Sequence, residues 1–349
     1  MNASKINIVP LSQLIDDQEA DFFALLQAKE LLRTKDGKPY FRVTFCDANR
    51  DVSFPVWSDA ALFSLCRDEW KTGEYFKIRA IYRSNNFGAK LDILKIRPVT
   101  EFDQLDGFSP YLCRPGSTIE PEIMFDEMIA LIKTHIDKGP LQKLVLTLFR
   151  DQRQKILETA ASRFHHHPYF GGLLEHSLSV TKLAVSIFNH YWDSYPKLRK
   201  AISRSLVVAG AALHDLGQIT EMTFDVVKPT HTIEGELIGH SVLGLDFIRQ
   251  YALKVDLDSQ TQARLEHIIL THSRFQDWGA PKPPMTLEAM IVHYADYSES
   301  TFSNAIRILE RDDSQGLMTN KKGPFGTPLL RYPELNAQAE KNNPIKTNK

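Results

Sequence analysis

The stretch Leu206-Val-Val-Ala-Gly-Ala-Ala-Leu-His-Asp215 is the most informative part of this sequence. Its first eight residues are apolar or small and predict a buried helix, and His214 and Asp215 stand at the end of that helix. A charge at the end of so apolar a segment requires a partner, and a divalent cation is a suitable one. The alternative is an ordinary helix terminus with a solvated aspartate.

Two further residues of metal-ligand type flank this pair in the chain. His176 lies 38 residues before His214, and Asp296 lies 81 residues after Asp215. All of them fall in segments whose apolar spacing is helical. The order His…His-Asp…Asp on successive helices resembles the HD superfamily of metal-dependent phosphohydrolases. The resemblance implies that these four residues hold a divalent ion and that His214 and Asp215 are catalytic.

Two later histidines resemble the ligands of the binuclear branch of that superfamily. His240 follows the segment 234–239, and His272 ends the apolar segment 265–271. In binuclear members, histidines at these places complete a second metal site, so the resemblance implies two divalent ions. Imidazole and carboxylate ligands suit Mn, Fe, Co or Zn better than Ca. Otherwise both histidines are ordinary helix residues, since only the superfamily order singles them out.

Longer motifs narrow the resemblance to one family. They are His166-His-Pro-Tyr-Phe-Gly-Gly-Leu-Leu-Glu-His176, His214-Asp-Leu-Gly217, Thr232-Ile-Glu-Gly-Glu-Leu-Ile-Gly-His240, Trp278-Gly-Ala-Pro281 with Leu287-Glu-Ala-Met290, and, near the front, Gly37-Lys-Pro-Tyr40 and Trp57. Over residues 10–311 the chain resembles the YhaM family, which joins an OB-type domain to an HD domain. The resemblance implies a 3′-to-5′ exoribonuclease that prefers manganese-like metals and degrades single-stranded RNA, with single-stranded DNA as a second substrate.

The chain departs from this family at two positions. Gln218 stands where the family usually has lysine, and Ser273 stands where it tends to have a second histidine. A neutral amide can hydrogen-bond a phosphate but brings no charge, so we expect this chain to bind phosphate more weakly than a chain with lysine at this position. We expect Gln218, His166 and His167 to bind substrate. The alternatives for the His165–His167 run are plain loop residues, a surface tract or partners of the metal ligands.

The distribution of histidines divides the chain into two parts. All twelve lie between His135 and His293, and the first 134 residues have none. Up to about residue 100, alternating apolar residues predict three strands, a short helix and two more strands, which fits a five-stranded OB-type β-barrel. Beyond Pro121 the apolar spacing becomes helical. We therefore predict a multidomain α and β protein with a barrel at 1–100, a linker at 101–121, an all-α HD-type domain at 122–311 and a polar, flexible tail at 312–349.

The barrel surface is a candidate nucleic-acid interface. Residues 29–100 carry fourteen Lys and Arg against nine Asp and Glu. Outward positions on the predicted strands include Arg42, Lys77, Arg79 and Arg83. Because single strands bind to cationic surfaces with aromatic platforms, we expect Tyr40, Arg42 and Trp57 to contact substrate. The alternatives are a solvated strand face and aromatic residues that belong to the barrel core.

Composition excludes several classes of protein. The 349 residues have a net charge of −1, which excludes a polybasic chain that binds nucleic acid by charge alone. Three cysteines without a CxxC motif argue against a disulfide scaffold or cysteine-ligated zinc and favour a reducing compartment. Without a visible secretory signal or membrane-length apolar run, we expect a cytoplasmic protein with no membrane partner. The sequence is compatible with a homo-oligomer.

Two functions from other classes remain as alternatives. One is an HD-type phosphohydrolase of nucleotides or cyclic dinucleotides, which a preference for mononucleotides over oligomers would support. The other is a non-catalytic single-strand-binding protein with a decayed HD site, which a lack of metal in the purified protein would support. The predicted barrel argues against the first, and the intact ligand set argues against the second.

Overall fold

A computed structural model describes most of the chain, namely residues 8–85, 88–114, 116–117, 119–225, 228–273, 279–311, 317–320, 323 and 326–331. Trp278 of the family motifs, residues 1–7 of the expected barrel and most of the expected tail lie outside these ranges. None of the described helices has the length and apolarity needed to cross a lipid bilayer.

The N-terminal part is a five-stranded antiparallel sheet. Its strands are β1 (Glu19–Arg33), β2 (Pro39–Cys46), β3 (Asp51–Trp57), β4 (Tyr75–Asn85) and β5 (Gly88–Pro98). Their order in the sheet is β3-β2-β1-β4-β5, and β3 also lies against β5, which closes the sheet into a barrel. Helix α1 (Phe63–Asp68) connects β3 to β4. This topology confirms the predicted OB-type barrel.

Alternation along β2 determines which side chains fill the barrel. Phe41, Val43 and Phe45 are buried, whereas Arg42 between them is exposed. The Phe45 ring packs edge-on against Phe76 at a centroid distance of 5.8 Å, inside the barrel. Because the side-chain period of a strand is two, a shift of one residue in register would expose this apolar set.

The expected cationic surface on β4 is largely neutralised. Arg79 pairs with Asp21 of β1 at 2.6 Å, and Lys77 pairs with Asp106 at 2.5 Å, in the turn that follows β5. Arg83 forms ion pairs with the carboxylates of Asp17 and Asp92. Alternation in the sequence shows that these cations point outward, but it does not show which distant segments bring carboxylates to them.

The rest of the chain is mainly helical. Its described helices are α2 (Pro121–His135), α3 (Pro140–Asp151), α4 (Arg153–Glu158), α5 (Gly172–Ser194), α6 (Arg204–Leu213), α7 (Gln218–Glu221), α8 (Ile233–Ile238), α9 (His240–Val255), α10 (Ser259–Thr271) and α11 (Leu287–Arg311). Helix α6 is buried along its length and packs against α5, α10 and α11. The prediction of a helical region beyond the barrel is thereby confirmed.

Two details of the helical region differ from the sequence-based expectation. A hairpin of β6 (Met222–Asp225) and β7 (Lys228–His231) follows α7. The single helix expected at 234–251 is broken into α8 and α9 at Gly239, whose φ of 82° lies in the left-handed region. Glycine adopts that conformation without steric penalty, so the chain turns there and α9 begins at His240.

Candidate metal centre

Helix ends and helix faces from five helices bring the six expected metal ligands together. They are His176 near the start of α5, His214 and Asp215 directly after α6, His240 at the start of α9, His272 directly after α10 and Asp296 within α11. These side chains are buried except for His240 and Asp296, which are partly exposed. The nitrogen and oxygen atoms of these six side chains form two adjacent groups, and the carboxylate of Asp215 faces both of them.

The first group consists of His176, His214 and Asp296. The Nε2 atoms of the two histidines are 3.1 Å apart. Asp296 Oδ1 lies 3.3 Å from His176 Nε2 and 3.8 Å from His214 Nε2. Two ligands bound to one ion through bonds of about 2 Å lie about 3–3.5 Å apart, so this spacing fits a shared divalent ion.

The second group consists of His240, His272 and Asp215. The two Nε2 atoms are 3.3 Å apart, and Asp215 Oδ1 lies 3.4 Å from His240 and 3.2 Å from His272. The other oxygen of Asp215, Oδ2, faces the first group, at 3.6 Å from His176 Nε2. One carboxylate thus presents one oxygen to each group.

Backbone carbonyls orient two of the imidazoles. His214 Nδ1 lies 2.8 Å from the carbonyl oxygen of Ala211, and His272 Nδ1 lies 2.7 Å from that of Ile269. Both acceptors belong to the last turn of a helix, where carbonyl groups lack partners within the helix. With Nδ1 donating to a carbonyl, Nε2 keeps its lone pair and can bind a metal.

Carboxylates orient the other two imidazoles. His176 Nδ1 lies 2.5 Å from Glu299 Oε2, and His240 Nδ1 lies 3.0 Å from Glu221 Oε2. The second oxygen of Glu221 accepts the backbone N–H of His240 at 3.1 Å. Sequence analysis did not single out either glutamate. A usable signal existed for Glu299, which is three residues after Asp296 and therefore on the same helix face.

The charges of the whole centre are those expected where buried carboxylates bind a cation. Burial raises the pKa of Asp215, but the surrounding imidazoles outweigh burial and hold it well below its ordinary value. Burial lowers the pKa of His240, whereas the bond to Glu221 and the charge of Asp215 raise it, to about 9. Nitrogen and oxygen donors without thiolates fit a divalent transition metal, and the centre is a divalent-metal site by this donor set.

A glycine allows the start of α9 to lie against the turn that follows Asp215. A Cβ atom built on Gly217 would lie 1.9 Å from the carbonyl oxygen of His240. Only glycine allows the turn after Asp215 to approach the first residue of α9 this closely. The Gly217 of the His-Asp-x-Gly motif therefore brings His240 to Asp215.

A pocket of about 550 Å³ opens over the metal ligands. Gln218 and His166, both expected to bind substrate, line it. Gln218 Oε1 and His166 Nε2 are buried and find no hydrogen-bond partner among the described residues. Burial lowers the pKa of His166 to about 3, so its imidazole is neutral at physiological pH.

His167, which is also expected to bind substrate, does not line this pocket but a second cavity, together with Tyr169 and Glu299. Its Nε2 lies 2.8 Å from Glu299 Oε1, and its Nδ1 lies 2.6 Å from the Tyr169 hydroxyl. The backbone of His167 has a φ of 41°, and this left-handed turn sends adjacent histidines to different sides of His176. His167 instead supports Glu299, which in turn orients His176.

Tyr40, Arg42 and Trp57 share the outer face of β2 and β3. Tyr40 and Trp57 are cross-strand neighbours, with ring centroids 4.9 Å apart. Trp57 is 47% exposed. Arg42 is exposed and forms no ion pair with a described carboxylate. The structure thus places the three residues on one face, and none of them lines the metal pocket.

Comparison with known proteins places the chain among bacterial nucleases. A model of the HD domain family matches residues 173–301. The protein named 3′-5′ exoribonuclease YhaM from Bacillus pumilus (strain SAFR-032) is 30% identical over 302 residues, which cover 84% of this chain and 88% of that protein. Proteins of the same name from Bacillus subtilis (strain 168) and Listeria monocytogenes (strain ATCC BAA-679 / EGD-e) are 28% and 27% identical over the same shares.

Among solved structures, a domain of replication protein A from Methanococcus maripaludis is similar to part of the chain. It has a TM-score of 0.22 and 12% identity, and the match covers 27% of this chain and 96% of that domain. The solution structure of the second OB-fold domain of the same protein gives a TM-score of 0.21 and 16% identity, with coverage of 27% and 97%.

Proposed function

Because this chain belongs to the YhaM family of 3′-to-5′ exoribonucleases, we propose that it hydrolyses single-stranded RNA stepwise from the 3′ end in a metal-dependent reaction. The observation that carries this proposal is the pair of ligand groups sharing Asp215 beneath an open pocket. Single-stranded DNA is the proposed second substrate. We place the reaction in the cytoplasm, since Cys46, Cys66 and Cys113 are all free thiols.

We assign metal binding to the two groups described above. His176, His214 and Asp296 would hold one ion with Asp215 Oδ2, and His240 and His272 would hold a second with Asp215 Oδ1. Manganese is the proposed metal, with cobalt, iron and zinc as alternatives. Divalent ions bound in this way activate water for attack on phosphorus and neutralise charge on the phosphate oxygens.

The chain's own residues position the substrate around this centre. The amide of Gln218 can donate a hydrogen bond to a non-bridging phosphate oxygen, which a neutral group does without adding charge. The neutral imidazole of His166, one ring nitrogen of which lies within 4.8 Å of ligand atoms of His176 and Asp215, can contact the same phosphate. His214 and Asp215 are the proposed catalytic residues because they lie where the two groups meet.

We propose that residues 1–100 form the RNA-binding barrel and residues 122–311 the catalytic domain. On the barrel, Tyr40 and Trp57 would stack on bases while Arg42 contacts phosphate. This assignment is supported by the exposure of Arg42 and Trp57 beside the half-buried Tyr40 on one face, and by the absence of an ion pair to Arg42 among the described residues. Stacking on aromatic side chains is sequence-tolerant, as a processing exonuclease requires.

The decisive experiment uses a single-stranded oligoribonucleotide labelled at its 5′ end. Incubation with the protein and Mn²⁺ should produce a ladder that shortens by one nucleotide at a time, and EDTA should abolish it. A 3′-end label should appear at once as mononucleotide. Hydrolysis of mononucleotides or cyclic dinucleotides without a ladder would instead support the small-molecule alternative, and binding without hydrolysis would support the non-catalytic one.

A further inference from the structure

A large apolar side chain stands exposed at the edge of the metal pocket. Phe164 lines the pocket and is 63% exposed. It belongs to the loop between α4 and α5, two residues before His166. Burying a phenylalanine stabilises a protein by about 1.5–3 kcal/mol, so an exposed ring beside a functional pocket is a candidate contact for a ligand.

Hydrogen bonds within and around the loop fix the backbone that carries this ring. Ser162 Oγ donates to the carbonyl oxygen of His166 at 2.7 Å and accepts the backbone N–H of His165 at 3.0 Å. The Arg307 guanidinium of α11 donates to the carbonyl oxygen of Phe164. A ring on a fixed backbone loses little conformational entropy when a ligand packs on it.

The side chain next to Phe164 supplies positive charge. The Arg163 guanidinium lies 4.7 Å from the centroid of the Phe164 ring. Its only described ion pair is a 3.7 Å contact with the exposed Glu236. Among the described residues that line the pocket, Arg163 is the sole lysine or arginine. Aromatic rings and guanidinium planes are the two kinds of surface on which proteins stack unpaired bases.

We propose that Phe164, backed by Arg163, is a stacking platform for the base of one of the two nucleotides that flank the scissile phosphate. The proposal rests on the exoribonuclease function and adds a base-binding subsite to it. Since four of the six expected metal ligands line one pocket with Phe164, a phosphate held there places the adjoining bases near the pocket edge. The platform recognises the face of the base, so it accepts all four bases.

The test combines a protein variant with a substrate that lacks one base. Single-turnover cleavage is measured with Mn²⁺ on a normal oligoribonucleotide and on two matched ones, abasic at the 3′-terminal or at the penultimate position. The parent protein should cleave the normal substrate roughly 5- to 150-fold faster than one of the abasic substrates, the range that stacking provides. Phe164→Ala should lose this preference and cleave that abasic substrate at the parent's rate.

Two further variants separate stacking from a structural effect. Phe164→Tyr should retain the preference, since it retains an aromatic face. Phe302→Ala removes an exposed phenylalanine of α11 that does not line the metal pocket, and it should behave as the parent. The proposal is overturned if Phe164→Ala slows normal and abasic substrates equally, or slows neither. An absent ladder with the parent protein would overturn the exoribonuclease function itself, which is a distinguishable outcome.

Discussion

The barrel and the metal centre differ in the partners that their buried carboxylates have. At the end of β5, Asp103 of the linker segment receives two bonds from the Arg97 guanidinium, at 2.7 and 2.6 Å, and a third from the Thr100 backbone N–H at 2.8 Å. Asp21 is bonded to Arg79 in the same two-point manner, at 2.6 and 3.0 Å. Both carboxylates are neutralised within the chain.

In the metal centre, the carboxylates meet only imidazoles. Asp215 contacts His240 and His272 through one oxygen and His176 through the other, and no lysine or arginine forms a described ion pair with it or with Asp296. The comparison teaches that Asp21 and Asp103 are neutralised by arginines of the chain, whereas the carboxylates of the metal centre have a donor set that a divalent cation would complete. Binding a ligand to the folded state alone stabilises that state, so metal should stabilise the helical region in particular.

Asp215→Asn should have the largest effect, because it removes the charge that distinguishes the metal centre from the barrel. The amide keeps the shape of the side chain but offers one neutral oxygen, so both ligand groups lose their shared anion. We expect hydrolysis to fall by at least about 10³-fold, with binding of a long oligonucleotide nearly unchanged. Ladder assays measure hydrolysis, fluorescence anisotropy measures oligonucleotide binding, and elemental analysis measures the bound metal, which should fall. A variant that degrades RNA at the parent's rate would refute the assignment of the centre.

The two orienting glutamates should have separable effects. Glu299→Gln should weaken metal at the His176 group and Glu221→Gln at the His240 group, each by about 10–100-fold, because the amide removes the charge that strengthens the imidazole as a ligand. Titration calorimetry with Mn²⁺ should show one weakened site per variant. Glu310→Gln, an exposed position on α11, is the matched control. Equal weakening of both sites by one variant would show a general structural effect.

Trp57→Ala tests whether the barrel contributes to binding at all. Loss of one stacked base should weaken binding of a long single strand by roughly tenfold, whereas a dinucleotide, which cannot span from the pocket to the barrel, should be cleaved as before. Trp57→Phe should restore most of the loss. Equal effects on long and short substrates would mean that the barrel supports the fold or an oligomer.

Asp103→Asn should produce the smallest effect, confined to the stability of the barrel. The bonds from Arg97, which outweigh burial, hold the pKa of Asp103 below its ordinary value. A carboxyl with a lowered folded-state pKa stabilises the fold above its unfolded pKa of about 4 and loses that contribution as pH falls below it. The variant should therefore be less stable by about 1 kcal/mol at pH 7, and its difference from the parent should shrink progressively as pH falls below about 4, as thermal unfolding at several pH values can show.

The sequence predicts those site residues that stand at a defined position within one helix or motif. The ligands His176, His214 and Asp296 are recognisable because each has a ligand-type side chain at a defined place on a helix. Glu221 is not, because its bond to His240 forms only when α8 and the hairpin fold the chain back between them. For the same reason, the sequence does not predict which carboxylates neutralise Lys77, Arg79 and Arg83, because these carboxylates come from other segments of the chain.

His166 and His167 show a different limit. Neighbouring histidines in a run cannot be distinguished by residue type, so the sequence predicts substrate binding for both. Their separation depends on the left-handed backbone of His167, which turns one ring toward the pocket and the other toward Glu299. A positive φ at a non-glycine residue is rarely evident from the residue type, because it arises from the surrounding packing.

The close approach at Gly217 has a consequence for the order in which the two ligand groups would fail. Because the backbone of Gly217 touches the carbonyl group of His240, any side chain at position 217 has to push the start of α9 away from Asp215. That displacement would reach His240, whereas His176, His214 and Asp296 are carried by other helices. A larger residue at position 217 should therefore weaken metal binding at the second group more than at the first.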